Sequence, residues 1–399
     1  MSVGRKLSPH SVQSAPAPEP ESCPTAAKEE HRAPREWMPR MWLGFSVEAW
    51  LRLLSRNRCA VELPYCHVPC VVTAVSIFHS GLRLLQDAWF GTHFRNSTIR
   101  HAPLFIVGHW RSGTTLLHEL LILDERHTFP NTYQCGAPHH FLLTEKWMTR
   151  LLWWLMPSRR PMDNMEAGWD KPQEDEFALC MLGQPSPYLT LGFPNHPPQD
   201  QDAFDLEGMP PRAVARWKSA FLLFLRQLTH KDPRRLVLKS PTHSCRIPTL
   251  LELFPDARFV LIVRDPYDVF PSTVTLWKTL YTTHGLQTPR FAALEEYVFS
   301  TFTHFHERLE KGKKLVRADR FHEVRYEDLL RDPLREMALL YERLELGEFE
   351  GVQPRLEQYF AAHAGYQTNR YGPLPPDLEA QIRQRWDAAI RQYGYQRED

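Results

Sequence analysis

Gly108 and Gly113 stand in the G-x-x-x-x-G frame of a phosphate loop, within the run P-L-F-I-V-G-H-W-R-S-G-T-T-L-L. That spacing lets the backbone wrap an anion, so that successive N–H groups and the following helix N-terminus point at it. The next two residues are Thr114 and Thr115, not the Lys and Ser/Thr that grip a γ-phosphate and its Mg²⁺. Positive charge sits inside the loop instead, at Arg111. The loop is therefore built for a phosphate-like group other than the metal-bridged end of ATP. Further along, Lys239 ends the apolar run L-V-L, and Arg264 ends F-V-L-I-V, with Ser272 eight residues beyond it. Together these residues provide for two separate anionic groups. A nucleotide carrying phosphates on both sides of its ribose needs such a layout, because one loop cannot reach both.

The elements that must hold these residues follow from the apolar pattern. Pro103 to Val107 reads as a buried strand, 108 to 115 as a tight loop and Leu116 to Leu123 as a helix. Leu236 to Leu238, Phe259 to Val263 and His322 to Tyr326 read as further strands. Between them, helices are expected over 141–156, 176–182, 212–228, 249–253 and 290–315, with a final one over 377–393 closed by Gly394. Asp265, Pro266 and Asp268 form a strong helix start, and Pro271 falls just beyond its first turn. Strands alternating with helices give an α/β chain, a three-layer P-loop-like fold with a central, mostly parallel sheet flanked by helices. Ligands in such sheets sit at the C-terminal strand ends, where the polar residues named above fall. Ahead of the sheet, residues 1–35 are rich in Pro, Ser, Ala and Glu and are expected to be disordered. Residues 36–100 form an N-terminal helical extension with helices over 37–54 and 68–90, and 101–399 is the domain that carries the chemistry.

Composition excludes several classes. The 48 Lys and Arg against 47 Asp and Glu leave no basic excess for a nucleic-acid partner. Seven cysteines at irregular spacing argue for reduced thiols, and Cys59, Cys66 and Cys70 lack the paired spacing of a metal site. No charged-then-apolar signal segment opens the chain, so a cytoplasmic protein is expected. The most apolar stretch, Val68 to Leu85, is interrupted by Pro69, His79 and Arg83, and is read as a helix packed on the domain and not a transmembrane segment, with contact at a membrane surface left open. The crowded Leu151, Leu152, Trp153 and Trp154 read as core or a substrate wall, and the Pro-rich run 184–211 as cover for a site.

Four segments in order, G-H-W-R-S-G-T-T-L, L-K-S-P-T-H, F-V-L-I-V-R-D-P-Y-D-V-F-P-S and R-Y-E-D-L-L-R-D-P, resemble the sulfotransferases that use 3′-phosphoadenosine 5′-phosphosulfate (PAPS). The likeness spans about Pro103 to Pro333 and is closest to the broad bacterial-type branch with R-S-G-T-T in its loop, which is related to the tyrosylprotein enzymes. It implies a sulfuryl transfer from PAPS to a hydroxyl or amine, without a metal. It also implies that Arg111, Ser112, Gly113, Thr114, Thr115 and Leu116 hold the 5′-phosphosulfate, that Arg264 and Ser272 hold the 3′-phosphate, and that Arg111 and Lys239 stabilise the group in transfer. Spreading charge over equatorial oxygens is what preorganised donors stabilise.

The related pattern carries a glutamate about twenty residues after the loop, where this chain has Thr132, Tyr133 and Gln134. The base is sought instead in P-Q-E-D-E-F-A-L, at Glu174 or Glu176 with Asp175 between them. The rival reading is that Glu174 and Asp175 cap the following helix. His139, His140 and His243 are the other candidates, and Arg370 in T-N-R-Y could close over the nucleotide. A small-molecule, lipid or glycan acceptor and a homodimer are compatible with this reading. Two other functions remain open: a P-loop nucleotide kinase or NTPase, and a nucleotide-binding protein that has lost catalysis.

Overall fold

The computed structural model describes residues 1, 39–156, 166–363 and 372–397. The chain divides into two units, Met1–Glu36 and Trp37–Asp399, and the sheet with all its helices belongs to the second. The expected disordered head, apart from Met1, and the candidate Arg370 lie outside the described residues.

Leu104 to Val107 has no polar interruption and forms β1, buried on both faces. β2 (His127–Thr128), β3 (Arg235–Lys239), β4 (Arg258–Val263) and β5 (Phe321–Arg325) complete one sheet in the order β2-β3-β1-β4-β5. Every pairing is parallel. Parallel strands need crossover helices, which cover both faces, so the central strands are continuous apolar runs and not alternating ones.

The helices are distributed accordingly. α1 (Val47–Arg56) and α2 (His67–Arg95) precede the sheet, and α3 (Thr114–Leu121) follows β1. Between β2 and β3 come α4 (Thr132–Gly136), α5 (Phe141–Leu151), α6 (Asp175–Met181) and α7 (Pro211–Lys231). α8 (Ile247–Leu253) joins β3 to β4, while α9 (Pro266–His284) and α10 (Leu294–Lys313) join β4 to β5. After β5 come α11 (Tyr326–Arg331), α12 (Pro333–Arg343), α13 (Gln353–Ala362), α14 (Pro376–Arg385) and α15 (Asp387–Gln392).

Two hydrophobic cores sandwich the sheet, because successive strand residues point to opposite faces. Phe105 and Val107 of β1 pack with Trp50, Trp217, Trp277 and Phe305 on one side. Leu104 and Ile106 pack with Leu117, Leu120, Leu329 and Leu340 on the other. Trp42 and Trp50 of the N-terminal region belong to the first of these cores, so α1 and α2 share the interior of the main body.

β2, α4 and α11 to α13 arise where the pattern gave no element, and three expected elements differ in detail. The final helix is two helices, α14 and α15, separated at Trp386, whose ring stacks on Phe302 at 3.9 Å. Pro271 sits inside α9 without ending it, since the helix continues to His284. α5 stops at Leu151 and is followed by a 3₁₀ turn, Trp153–Leu155. The tryptophans there are not core: Trp147, Trp153 and Trp154 are 74%, 73% and 65% exposed.

Candidate active site

β1, β3 and β4 are adjacent in the sheet, and each ends at a cationic residue or a loop that carries one. After β1 the chain turns through Gly108 and Gly113, both at positive φ (149° and 103°). A Cβ on Gly108 would lie 2.6 Å from the Ile262 carbonyl oxygen, and one on Gly113 would lie 2.4 Å from the Tyr326 ring. Only glycine fits either place. Arg111 also takes a left-handed conformation, φ 68°. The turn delivers the chain to α3, whose first N–H groups, on Thr114, Thr115 and Leu116, have no partner within the helix.

The second expected anion site touches the first. Arg111 Nε donates to the Ser272 hydroxyl at 2.8 Å. Arg264 lies over the Tyr326 ring, with its guanidinium carbon 4.7 Å from the centroid, and one of its nitrogens is 3.2 Å from Asp268. Tyr326 therefore packs against both Gly113 and Arg264. Glu327 beside it accepts from the Asp265 backbone N–H at 3.0 Å and from the Tyr395 hydroxyl at 2.7 Å, which makes R-Y-E-D a structural brace. Ser112 turns its hydroxyl inward to the His109 carbonyl at 2.8 Å.

Lys239, at the end of β3, is only 2% exposed. Its ammonium donates to Glu174 Oε1 at 2.9 Å. The other carboxylate oxygen accepts from the Tyr188 hydroxyl at 2.5 Å, and the Tyr188 oxygen accepts from Trp110 Nε1 at 2.9 Å. Burial, helped by the Glu174 carboxylate, pushes the Tyr188 phenol well above its usual range, so it remains a donor. Lys239, Glu174, Tyr188 and Trp110 thus form a continuous hydrogen-bonded line that starts on a strand end and finishes inside the loop after β1.

The three consecutive acids go three ways. Glu174 is the N-cap of α6 by position, yet its side chain makes no capping bond. Asp175 is fully buried with Oδ2 2.8 Å from His243 Nε2. Glu176 is fully buried against Arg246 and accepts from Thr242 at 3.0 Å. Glu176 is therefore brought to a different place from Lys239, in a sealed ion pair. The histidine candidates are held inside: His139 Nε2 lies 3.0 Å from the Met181 carbonyl, and His140 meets His79 and Thr144. Burial pushes both His139 and His140 down to about 3, which keeps them neutral near pH 7.

Glu174, Tyr188 and Trp110 also form part of the wall of a cavity of about 520 Å³. The rest of that wall is mainly apolar, including Leu43, Val75, Phe78, Met148, Leu276 and Leu280. His79 and His140 add two neutral polar groups. The arrangement can hold anions at the strand ends and offer a carboxylate to whatever occupies the apolar space.

Residues 103–350 match the sulfotransferase family. Two relatives, omega-hydroxy-beta-dihydromenaquinone-9 sulfotransferase Stf3 of Mycobacterium bovis and of Mycobacterium tuberculosis, are each 48% identical over 363 residues, covering 91% of this chain and 93% of theirs. The chain belongs to the sulfotransferase family. Among solved structures, sulfotransferase STF9 from Mycobacterium avium aligns with a TM-score of 0.61 at 19% identity, over 88% of this chain and 96% of its own. Sulfotransferase STF1 from Mycobacterium tuberculosis aligns at 0.59 and 18%, over 85% and 90%. These two structures share the α/β fold of this sulfotransferase, and the family resemblance read from four short segments holds.

Two residues of this hydrogen-bonded line had no role assigned to them from the sequence. Tyr188 lies in the irregular Pro-rich run, and Trp110 stands within G-H-W-R-S-G-T-T-L without a role of its own. Leu43, Val75 and Phe78 come from N-terminal helices to which no chemistry was assigned. Nothing local marks such residues, because the contact that defines them spans much of the chain.

Proposed function

We propose that this sulfotransferase transfers a sulfuryl group from PAPS to the hydroxyl of an apolar, lipid-like small molecule. The observation that carries the reading is Glu174, which faces Lys239 at the strand ends and at the same time belongs to the wall of the apolar cavity. PAPS fits the donor set: Arg111, Lys239 and Arg264 come from three adjacent strand ends and, with the loop N–H groups, give two anion-holding places. In this proposal Arg111, Ser112, Gly113, Thr114, Thr115 and Leu116 surround the 5′-phosphosulfate, Ser112 through its backbone, while Arg264 and Ser272 hold the 3′-phosphate.

When bound, PAPS supplies the sulfuryl group and leaves as adenosine 3′,5′-bisphosphate. The sulfur–oxygen bond to the phosphate breaks as the acceptor oxygen bonds to sulfur. Glu174 takes the hydroxyl proton, and Tyr188 and Lys239 hold its carboxylate in place until then. Lys239 and Arg111 carry the negative charge that collects on the departing oxygen, in a site where burial of Lys239 strengthens each interaction. Glu176 has no part in this step, since Arg246 occupies it.

For the acceptor, the 48% identical relatives named for omega-hydroxy-beta-dihydromenaquinone-9 support a prenyl chain ending in a hydroxyl. A cavity lined by Leu, Val, Phe and Met side chains suits such a chain. The test is transfer from sulfur-labelled PAPS to a hydroxylated menaquinone and, in parallel, to a polar sugar alcohol. Labelled menaquinone at a rate far above the sugar supports the reading. Transfer to the polar acceptor alone overturns the acceptor, and thermal stabilisation by ATP with Mg²⁺ but not by adenosine 3′,5′-bisphosphate overturns the donor.

A further inference from the structure

Residues Leu63–Arg95 are long and apolar enough to cross a membrane by length and composition, yet only 17% of their most apolar 18-residue window is buried within the protein. One side of α2 is fixed to the body. Gln86, fully buried, donates to the His139 carbonyl at 2.9 Å and accepts from the Leu142 N–H at 2.9 Å, and Trp50 Nε1 donates to Thr73 at 3.0 Å. The other side presents Val71, Ile77, Phe78, Leu84, Leu85 and Trp89, each at least half exposed. From Cys70 to Trp89 the charged side chains are Arg83 and Asp87, both half-buried, and Asp87 is paired with Arg95 at 3.7 Å. At the far end of α5, Trp147, Trp153 and Trp154 add three exposed rings. Lys146 and Arg150 are exposed beside them and make no ion pair among the described residues.

We infer that α2 and the end of α5 form a docking face for an anionic lipid bilayer, with the apolar side of α2 lying in the membrane surface. A helix bonded to protein along one side lies in the interface and does not span. Tryptophan favours the headgroup level, where one end of the ring is apolar and the other is wet. Lys146 and Arg150 select the occupant: an anionic headgroup answers two exposed cations, whereas a second copy of this face would bring like charges together. The same helices wall the cavity, through Val75, Phe78 and His79 of α2 and Met148 of α5. Phe78 is both in that wall and 53% exposed, so the cavity wall is continuous with the docking face. An apolar acceptor of the kind proposed for the reaction would then pass from bilayer to cavity without crossing water. The docking face itself does not depend on that acceptor.

Vesicle flotation of the full chain tests this, with vesicles of phosphatidylcholine alone and of phosphatidylcholine mixed with phosphatidylglycerol, at low and high salt. The protein should float with the mixed vesicles, and salt should weaken the association. A K146Q/R150Q variant should bind the mixed vesicles on the order of twentyfold more weakly, at about a factor of five per basic residue. W147S/W153S/W154S and L84S/W89S should lose binding to both vesicle types. All these side chains are exposed, and unchanged thermal melting of each variant confirms folding. Wild-type protein that stays in the aqueous fraction with mixed vesicles overturns the inference, as does binding unchanged in the Ser variants. A dimer in light scattering that the Ser variants convert to monomer assigns the face to a second copy and also overturns it. No sulfate acceptor enters the assay, so its result is independent of the proposed reaction.

Discussion

Replacing Glu174 by Gln separates a proton acceptor from a structural carboxylate. Oε1 can still accept from Lys239, but the second oxygen becomes an amide nitrogen, and the Tyr188 hydroxyl loses its acceptor. Losing one charge-assisted hydrogen bond at a side chain 13% exposed costs about 1.5–3 kcal/mol of stability, a drop of a few degrees in melting temperature. The catalytic loss is larger if Glu174 takes the acceptor proton, since a positioned base contributes roughly 10²–10⁴-fold. Saturating kinetics with PAPS and a hydroxylated prenyl quinone should therefore show kcat reduced by about 10²–10⁴. Calorimetric affinity for adenosine 3′,5′-bisphosphate should stay within about threefold, because the amide keeps Lys239 in place. Turnover within about threefold of the parent would refute the assignment. Bisphosphate affinity falling as far as kcat would refute it differently, by making Glu174 a prop for Lys239 in the nucleotide site.

Glu176→Gln should give the opposite pattern. Removing a carboxylate from fully buried Arg246 costs about 3–5 kcal/mol in chemical denaturation, while kcat of the folded protein stays within a few-fold. Arg264→Ala should weaken adenosine 3′,5′-bisphosphate binding about ten- to a hundredfold by calorimetry, and an unchanged affinity would remove Arg264 from the site. Acid should destabilise the protein well before its carboxylates titrate. Burial lowers His109 to about 4 and His139, His140 and His284 to about 3, against an ordinary value near 6.5. The unfolded chain then binds protons that the fold refuses, so their contribution is fully present above about pH 6.5 and is lost as pH falls through that value toward about 4. Each group costs roughly 1 kcal/mol by about pH 5.5. Melting temperature should fall steeply between about pH 6.5 and 4.5, less so in His139→Gln, and a flat profile would contradict the buried-histidine account.

The strand ends were legible in the sequence because two signals coincide there: an apolar run stops, and a charged residue follows. Lys239 and Arg264 both sit where that rule puts them. The divergence of Glu174, Asp175 and Glu176 was not legible, although its cause is simple. Glu174 is the extended N-cap, and Asp175 and Glu176 are helical residues about 100° apart, so three neighbouring acids meet Lys239, His243 and Arg246 in turn. Aromatic crowding was misleading for a related reason. Periodicity shows that the Trp153 region is apolar, but whether another layer of protein covers it depends on elements distant in sequence. The line from Lys239 to Trp110 depends on Tyr188, and only tertiary packing brings that residue between the acid and the loop.

The ring of Tyr326 occupies the space that a side chain at Gly113 would need and lies beneath the guanidinium of Arg264. A glycine, an aromatic and an arginine from three separate segments are thereby interlocked. The loop from Gly108 to Thr115 is not a portable cassette: grafted onto another α/β sheet without the tyrosine, it would lose the surface on which its left-handed turn rests. Substitutions at the three positions should be strongly non-additive, with the first change exposing the other two to loss and the later ones adding little.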